Sequence, residues 1–235
     1  AHYGNGVRVD ADIDQGLRSY MLSVYNYMAI AVALTGLAAY GMYNWMSSNP
    51  EIAQTLFNSP LKWLIMLAPL GFVLALSFGI HKMSTSTAQM VFWAYAAVTG
   101  LSLSWILLVF TGESVAKTFF ITSAAFGCLS LYGYTTKRDL SGMGSFLMMG
   151  LFGIIIAMVV NIFLASSALQ FAISILGVLI FAGLTAYDTQ QIKEMYYEGD
   201  DHSTQGRKAI MGALRLYLDF INMFTFLLQF LGNRE

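Results

Sequence analysis

The sequence predicts an all-α integral membrane protein, a single domain that crosses the bilayer seven times. Three observations predict it. Of 235 residues, 57% are hydrophobic and 11% charged, against roughly 25% charged in soluble domains. The mean hydropathy is +0.62. The apolar residues also gather into seven runs, at 21–46, 61–80, 89–111, 116–135, 143–165, 169–189 and 209–231. Each is near the ~20 residues that cross a hydrocarbon core about 30 Å thick. Lipid offers the backbone no hydrogen-bond partners, so each run must satisfy its own peptide groups as a helix. Barrel strands would alternate in polarity over about ten residues, and these runs do not alternate.

Ahead of the first run, residues 1–20 are polar, with Asp10, Asp12 and Asp14. They read as a cytoplasmic N-terminal tail leading by an amphipathic entry into the membrane domain, 21–235. They do not read as a cleavable signal peptide. The connections between runs are short except for 194–208, which is polar and holds Gly199, Asp200, Asp201 and Gly206. Small residues inside the runs, such as Ser123 with Gly127 and Gly150 with Gly153, fit close helix packing. The 14 Met and 17 Phe are ordinary packing residues in lipid.

Orientation follows from the basic residues. Seven crossings put Arg8, Arg18, Lys82, Lys137, Arg138, Lys193, Arg207, Lys208 and Arg215 on the N-terminal side, and only Lys62, Lys117 and Arg234 opposite. The positive-inside rule then places the N-terminus in the cytoplasm, as in a bacterial inner membrane or an organelle membrane.

Several function classes fall away. A net charge of −1 and a pI near 6.3 leave no broad basic face for nucleic acid. The one cysteine, Cys128, lies in an apolar run, and His2, His81 and His202 are dispersed, so neither a disulfide framework nor a zinc site is expected. No cofactor is expected either. No phosphate-cradling glycine loop, HExxH or serine-triad order is present, which argues against an enzyme. Intramembrane proteolysis by two aspartates is the enzymatic rival. Its YD and GxGD motifs are not both reproduced: Asp188 follows Tyr187, but Asp219 has no glycine beside it.

The informative residues are two acids in the last two runs. Asp188 closes the run 171–187, and Asp219 lies about ten residues into 209–231, ~15 Å along that helix at 1.5 Å per residue. A carboxylate deep in a bilayer costs roughly 2.5–3.5 kcal/mol on insertion scales, so a chain that keeps two is expected to use them. If they share one site, both cannot ionise cheaply, and the pair becomes a pH switch. Ionised, it presents the clustered oxygens that a hard divalent cation such as calcium takes. Plainer roles stand beside these. Asp219 has Arg215 four residues earlier on the same face as a salt-bridge partner, unless Arg215 snorkels to the interface. Asp188 can be an interfacial helix-end acid, since Thr189, Gln190 and Gln191 follow it. A cationic latch for the pair has candidates in Arg215 and in His81 and Lys82 at the end of the second run. A lysine there can equally snorkel and contribute only to topology.

The segments AYDTQQIKEMY (186–196) and LRLYLDFINMF (214–224) resemble the signatures of the transmembrane Bax inhibitor motif family, bacterial type. The likeness extends over the chain after residue 20. It implies six helices surrounding a more central seventh and a pH-sensitive calcium leak. It further implies a proton-sensing dyad, here Asp188 and Asp219, which would also touch calcium in transit. Members with a studied leak set a basic residue, typically arginine, from the end of span two against the dyad; Lys82 stands there, with His81 beside it. Lysine lacks arginine's bidentate fork, and no acid lies within span two, where some relatives carry one. Some members are linked to membrane-bound AAA proteases.

The expectation is therefore a pH-sensitive calcium leak channel or calcium/proton exchanger gated by a buried di-aspartate. The alternative is a non-transporting membrane regulator that binds a partner such as a membrane-bound AAA protease, through the polar tail.

Overall fold

A computed structural model describes residues 3–233. All of its regular elements there are helical: α1 (Tyr3–Ser48), α2 (Pro50–Asn58), α3 (Leu61–Gly79), a 3-10 turn (Ile80–Lys82), α4 (Thr85–Leu103), α5 (Ile106–Val109), α6 (Gly112–Thr135), α7 (Ser141–Leu164), α8 (Ser167–Glu194) and α9 (His202–Leu231). Local chemistry sets many of the boundaries. Pro50 opens α2 at its first turn, where its missing N–H is no loss. The Ser84 hydroxyl caps α4 by accepting from the Thr87 N–H at 3.1 Å, and Thr111 caps α6 by accepting from Ser114 at 3.3 Å; each satisfies one of the orphan donors at a helix start. Ala165 ends α7 in the left-handed region at φ 47°, and the Asn161 side chain accepts from the Ser166 N–H at 3.0 Å to close the turn.

Six helical segments among the described residues are long and apolar enough to cross a membrane: Gln15–Ser48, Thr85–Val109, Gly112–Thr135, Ser141–Leu164, Ser167–Glu194 and His202–Leu231. The remaining predicted run, 61–80, is helical as α3, 19 residues long, and is not among these six. Three boundaries differ from expectation. The polar residues from Tyr3 onward continue without a break into the first apolar helix. The run 89–111 is interrupted at Ser104 and Trp105, between α4 and α5. The last helix starts at His202 rather than at 209, because seven polar residues extend it beyond the apolar stretch.

The fold comprises two compact units, one the chain through Trp105 with Ile192–Leu214, the other Ile106–Gln191 with the chain from Arg215. In the first, α4 packs against both α1 and α3. Thr35 donates its hydroxyl to the Ala96 carbonyl at 2.9 Å, and Gly100 lies against the Thr35 backbone and Ala38. The contacts advance together along α1 and α4, which therefore run parallel. Ser102, near the end of α4, donates to the Ile65 carbonyl near the start of α3, so α3 and α4 are antiparallel.

In the second unit α8 lies against α6, α7 and α9. Gly133 brings α6 onto the Ala186 backbone, Gly144 receives the Tyr187 ring on α7, and Gly177 seats Phe226 of α9. Small residues at such crossings let helices approach where lipid supplies no hydrophobic drive. The last helix is the most enclosed of the spans, with 67% of its apolar window buried against 11–39% for the others.

Candidate functional site

The run Ala186–Gln190 of α8 is anchored on every side but one. Ala186 presses on Gly133 of α6, and Tyr187 on Gly144 of α7. The Thr189 hydroxyl shares a 2.9 Å hydrogen bond with Ser130 of α6. Gln190, 6% exposed, reaches the α6–α7 turn with both ends of its amide: Nε2 donates to the Arg138 carbonyl and Oε1 accepts from the Leu140 N–H, each at 2.8 Å. The remaining residue, Asp188, is half-buried and turns to α9.

Asp219 meets it there. Its side chain is 3% exposed, and its carboxyl lies close enough to that of Asp188 for the two to interact electrostatically. An ionised carboxylate only accepts hydrogen bonds, so two facing carboxyls can bond to one another only when one of them carries a proton. The next residue, Phe220, fixes the register of α9, meeting Phe119 and Phe126 of α6 edge-on with centroids 5.7 and 5.6 Å apart. α6 thus braces both helices that bear the acids. One oxygen of Asp219, Oδ2, is buried without a hydrogen-bond partner among the described residues. Leaving such a group unpaired costs about 1–3 kcal/mol, a cost a structural acid would avoid.

The cation that acts on the pair is Arg215, electrostatically coupled to both acids. It sits one turn before Asp219 with its side chain exposed. Of the expected latch residues, then, Arg215 is beside the dyad. His81 and Lys82 end the 3-10 turn after α3 with exposed side chains, in the first unit. Among the described residues no three His, Cys, Asp or Glu side chains gather as a metal cage. Sequence reading did not single out Gln190 or Gly133, although both set the position of Asp188. A buried-side glutamine two residues from an intramembrane acid was the available signal.

The fold and site define an integral membrane protein of packed helices with a carboxyl pair buried between two of them. The comparisons assign the family. A family model described as inhibitor of apoptosis-promoting Bax1 matches residues 17–235, and the chain belongs to that Bax inhibitor-like family. Its relatives include a protein of Rickettsia prowazekii (strain Madrid E), 52% identical over 222 residues, 94% of this chain and 92% of the relative. A Caulobacter vibrioides protein is 48% identical over 239 residues, 97% and 94% of the two chains. The inner membrane protein YbhL of Escherichia coli (strain K12) is 45% identical over 224 residues, 94% of each chain.

Proposed function

We propose that the protein is a pH-sensitive calcium leak channel or calcium/proton exchanger gated by Asp188 and Asp219. The observation that carries this reading is the facing pair of carboxyls on α8 and α9, with one buried Asp219 oxygen unpartnered among the described residues and Arg215 acting on both acids. With a shared proton the pair draws α8 and α9 together. When that proton leaves, two carboxylates repel in a low-dielectric setting. The helices loosen, and the freed oxygens attract a divalent cation. Arg215 is the latch, because its charge stabilises the ionised pair when no cation is present. No catalytic step is assigned to the dyad.

Seven crossings fit this reading better than six. α1 and α4 run parallel, which requires the chain between them to return across the bilayer, and α3 is antiparallel to α4. Its Leu64, Leu67, Leu70 and Phe78 are exposed, as lipid-facing residues would be. Seven crossings with the positive-inside rule put the N-terminus in the cytoplasm. The Escherichia coli relative, an inner membrane protein, supports an inner-membrane location. Reporter fusions at the two termini test the count, since an odd number leaves them on opposite sides.

The function is tested by calcium entry into dye-loaded proteoliposomes across about pH 5–8, a window bracketing carboxyl-pair titration. Wild type is expected to conduct increasingly as pH rises, and Asp219→Asn to lose that dependence. Folded wild-type protein that passes no calcium at any pH would overturn the reading. It would also favour a non-transporting regulator of a partner such as a membrane-bound AAA protease.

A further inference from the structure

Two helix ends of opposite polarity meet around a small polar cavity in the second unit, ~18 Å along α9 from Asp219 by helical rise. The cavity, of about 220 Å³, is lined by the beginning of α6 and the end of α9. Hydrogen bonds fasten these ends together. The Thr111 N–H donates to the Asn233 carbonyl at 3.1 Å, and the Asn233 N–H to the Ser114 hydroxyl at 3.0 Å. The start of a helix carries partial positive charge and its end partial negative charge, so a ligand held here meets both signs at once.

The side chains repeat that arrangement. Glu113 and Lys117 stand one turn apart on α6, and both line the cavity. Among the described residues neither is in an ion pair. Thr118 also lines it and is 2% exposed, yet its hydroxyl makes no hydrogen bond among the described residues. Buried hydroxyls are ordinarily paired, so Thr118 points to a ligand that brings an acceptor. The surroundings say where that ligand comes from. Gly112–Thr135 and His202–Leu231 are both long and apolar enough to cross a membrane, so the cavity lies at the ends of two spans, at headgroup level. Ile121, one turn deeper, and Leu231 line it too and are 38% and 46% exposed, an apolar edge open towards lipid. The volume is below the roughly 300–1,000 Å³ of pockets for whole small molecules, and suits a headgroup whose chains stay in the bilayer.

We propose that this cavity binds the headgroup of a zwitterionic phosphoamine lipid of the phosphatidylethanolamine kind. The phosphate lies against Lys117, the Ser114 and Thr118 hydroxyls and the start of α6. The ammonium lies against Glu113 and the carbonyl end of α9. About 6 Å of helical rise separates the two side-chain charges, a gap that a phosphate and an ammonium joined by two carbons can bridge. The site depends on neither the calcium reading nor the carboxyl pair. The purified protein in detergent is titrated with phosphatidylethanolamine, phosphatidylcholine or phosphatidylglycerol, and bound lipid is counted by native mass spectrometry. Phosphatidylethanolamine is expected to bind about tenfold more tightly than the other two, because choline has no N–H to donate to Glu113 and glycerol has no charge. Lys117→Ala should weaken it about tenfold and Thr118→Val about fivefold. Thr118→Val keeps the side-chain shape, so it tests the site without endangering the fold. Lys137→Ala, beyond the other end of α6, should change nothing. Glu113→Gln should bring phosphatidylethanolamine down to the level of phosphatidylglycerol. Equal binding of the three lipids overturns the proposal, as does binding indifferent to both Lys117→Ala and Thr118→Val. Inorganic phosphate at the same concentration is expected to leave the lipid in place; if it displaces the lipid, the site takes a soluble anion and the lipid assignment falls.

Discussion

Gln190 holds the Arg138 carbonyl at 2.8 Å, and so an α8 residue two places from Asp188 closes the turn between α6 and α7. The same amide accepts from Leu140 at 2.8 Å. Gln190→Leu keeps much of the volume and orphans a backbone carbonyl and an N–H, at about 1–3 kcal/mol for each buried group. We expect a loss of roughly 2–4 kcal/mol of stability, measured by unfolding in mild detergent with increasing SDS. Unchanged stability would mean that water or lipid headgroups replace the amide. Calcium entry should also lose part of its pH response, because the α8 segment carrying Asp188 is no longer fixed.

Gly133 brings α6 close to α8, and a side chain there would run into the Ala186 backbone. Backbone yields less readily than a flexible side chain, so Gly133→Val must push the helices apart. Overpacking of this kind costs about 1–3 kcal/mol. It should also lengthen the Ser130–Thr189 hydrogen bond, now 2.9 Å. Gly127→Val, on the same helix with nothing within 4 Å of the added carbon, is the control and should leave stability nearly unchanged. Equal behaviour of the two variants would remove Gly133 from any role in positioning Asp188.

Asp201 gives the prediction for acid. It lies outside the spans, and the Ser203 hydroxyl donates to it at 2.6 Å, followed by the Ser203 N–H at 3.2 Å. The bonds from Ser203, then those from Thr204, lower its pKa from the ordinary 3.8 to about 2. A depressed carboxyl stabilises the fold above its unfolded pKa, and that contribution fades as pH falls through the folded value. The start of α9 should therefore keep its protection at pH 5 and lose it progressively between 3.8 and about 2. Hydrogen exchange at the Ser203 amide reads this directly. Asp201→Asn should remove the pH dependence in that window; an identical profile in the variant would show that the fraying has another origin.

Much of this architecture was legible because lipid imposes a coarse rule, that long apolar runs become helices. Runs such as 143–165 and 169–189 became α7 and α8 with shifts of a few residues. Asp188 and Asp219 stood out for the same reason, as charges where the solvent penalises them. Less was legible where packing rather than solvent decides. Nothing in the apolar run 89–111 marks the break at Ser104, and the polar residues His202–Lys208 hid the true start of α9. Gln190 looked like an ordinary residue leaving the membrane until its two amide bonds were seen. Arg215 was legible as a neighbour of Asp219 by spacing alone, but its coupling to Asp188 as well depends on how α8 meets α9.

Helix α7 fully buries Gly144, Leu147 and Ile154, sets Gly150 against Ile180 and bonds Asn161 to Gln170, and 11% of its apolar window is buried. Its place in the fold is therefore specified by about five positions, and much of the rest of its surface is exposed and apolar. A saturation mutagenesis map should be nearly blank along this helix, accepting any apolar side chain away from those positions. The bilayer, not the polypeptide, is its principal binding partner, so membranes of different thickness or fluidity should shift α7 before any other span.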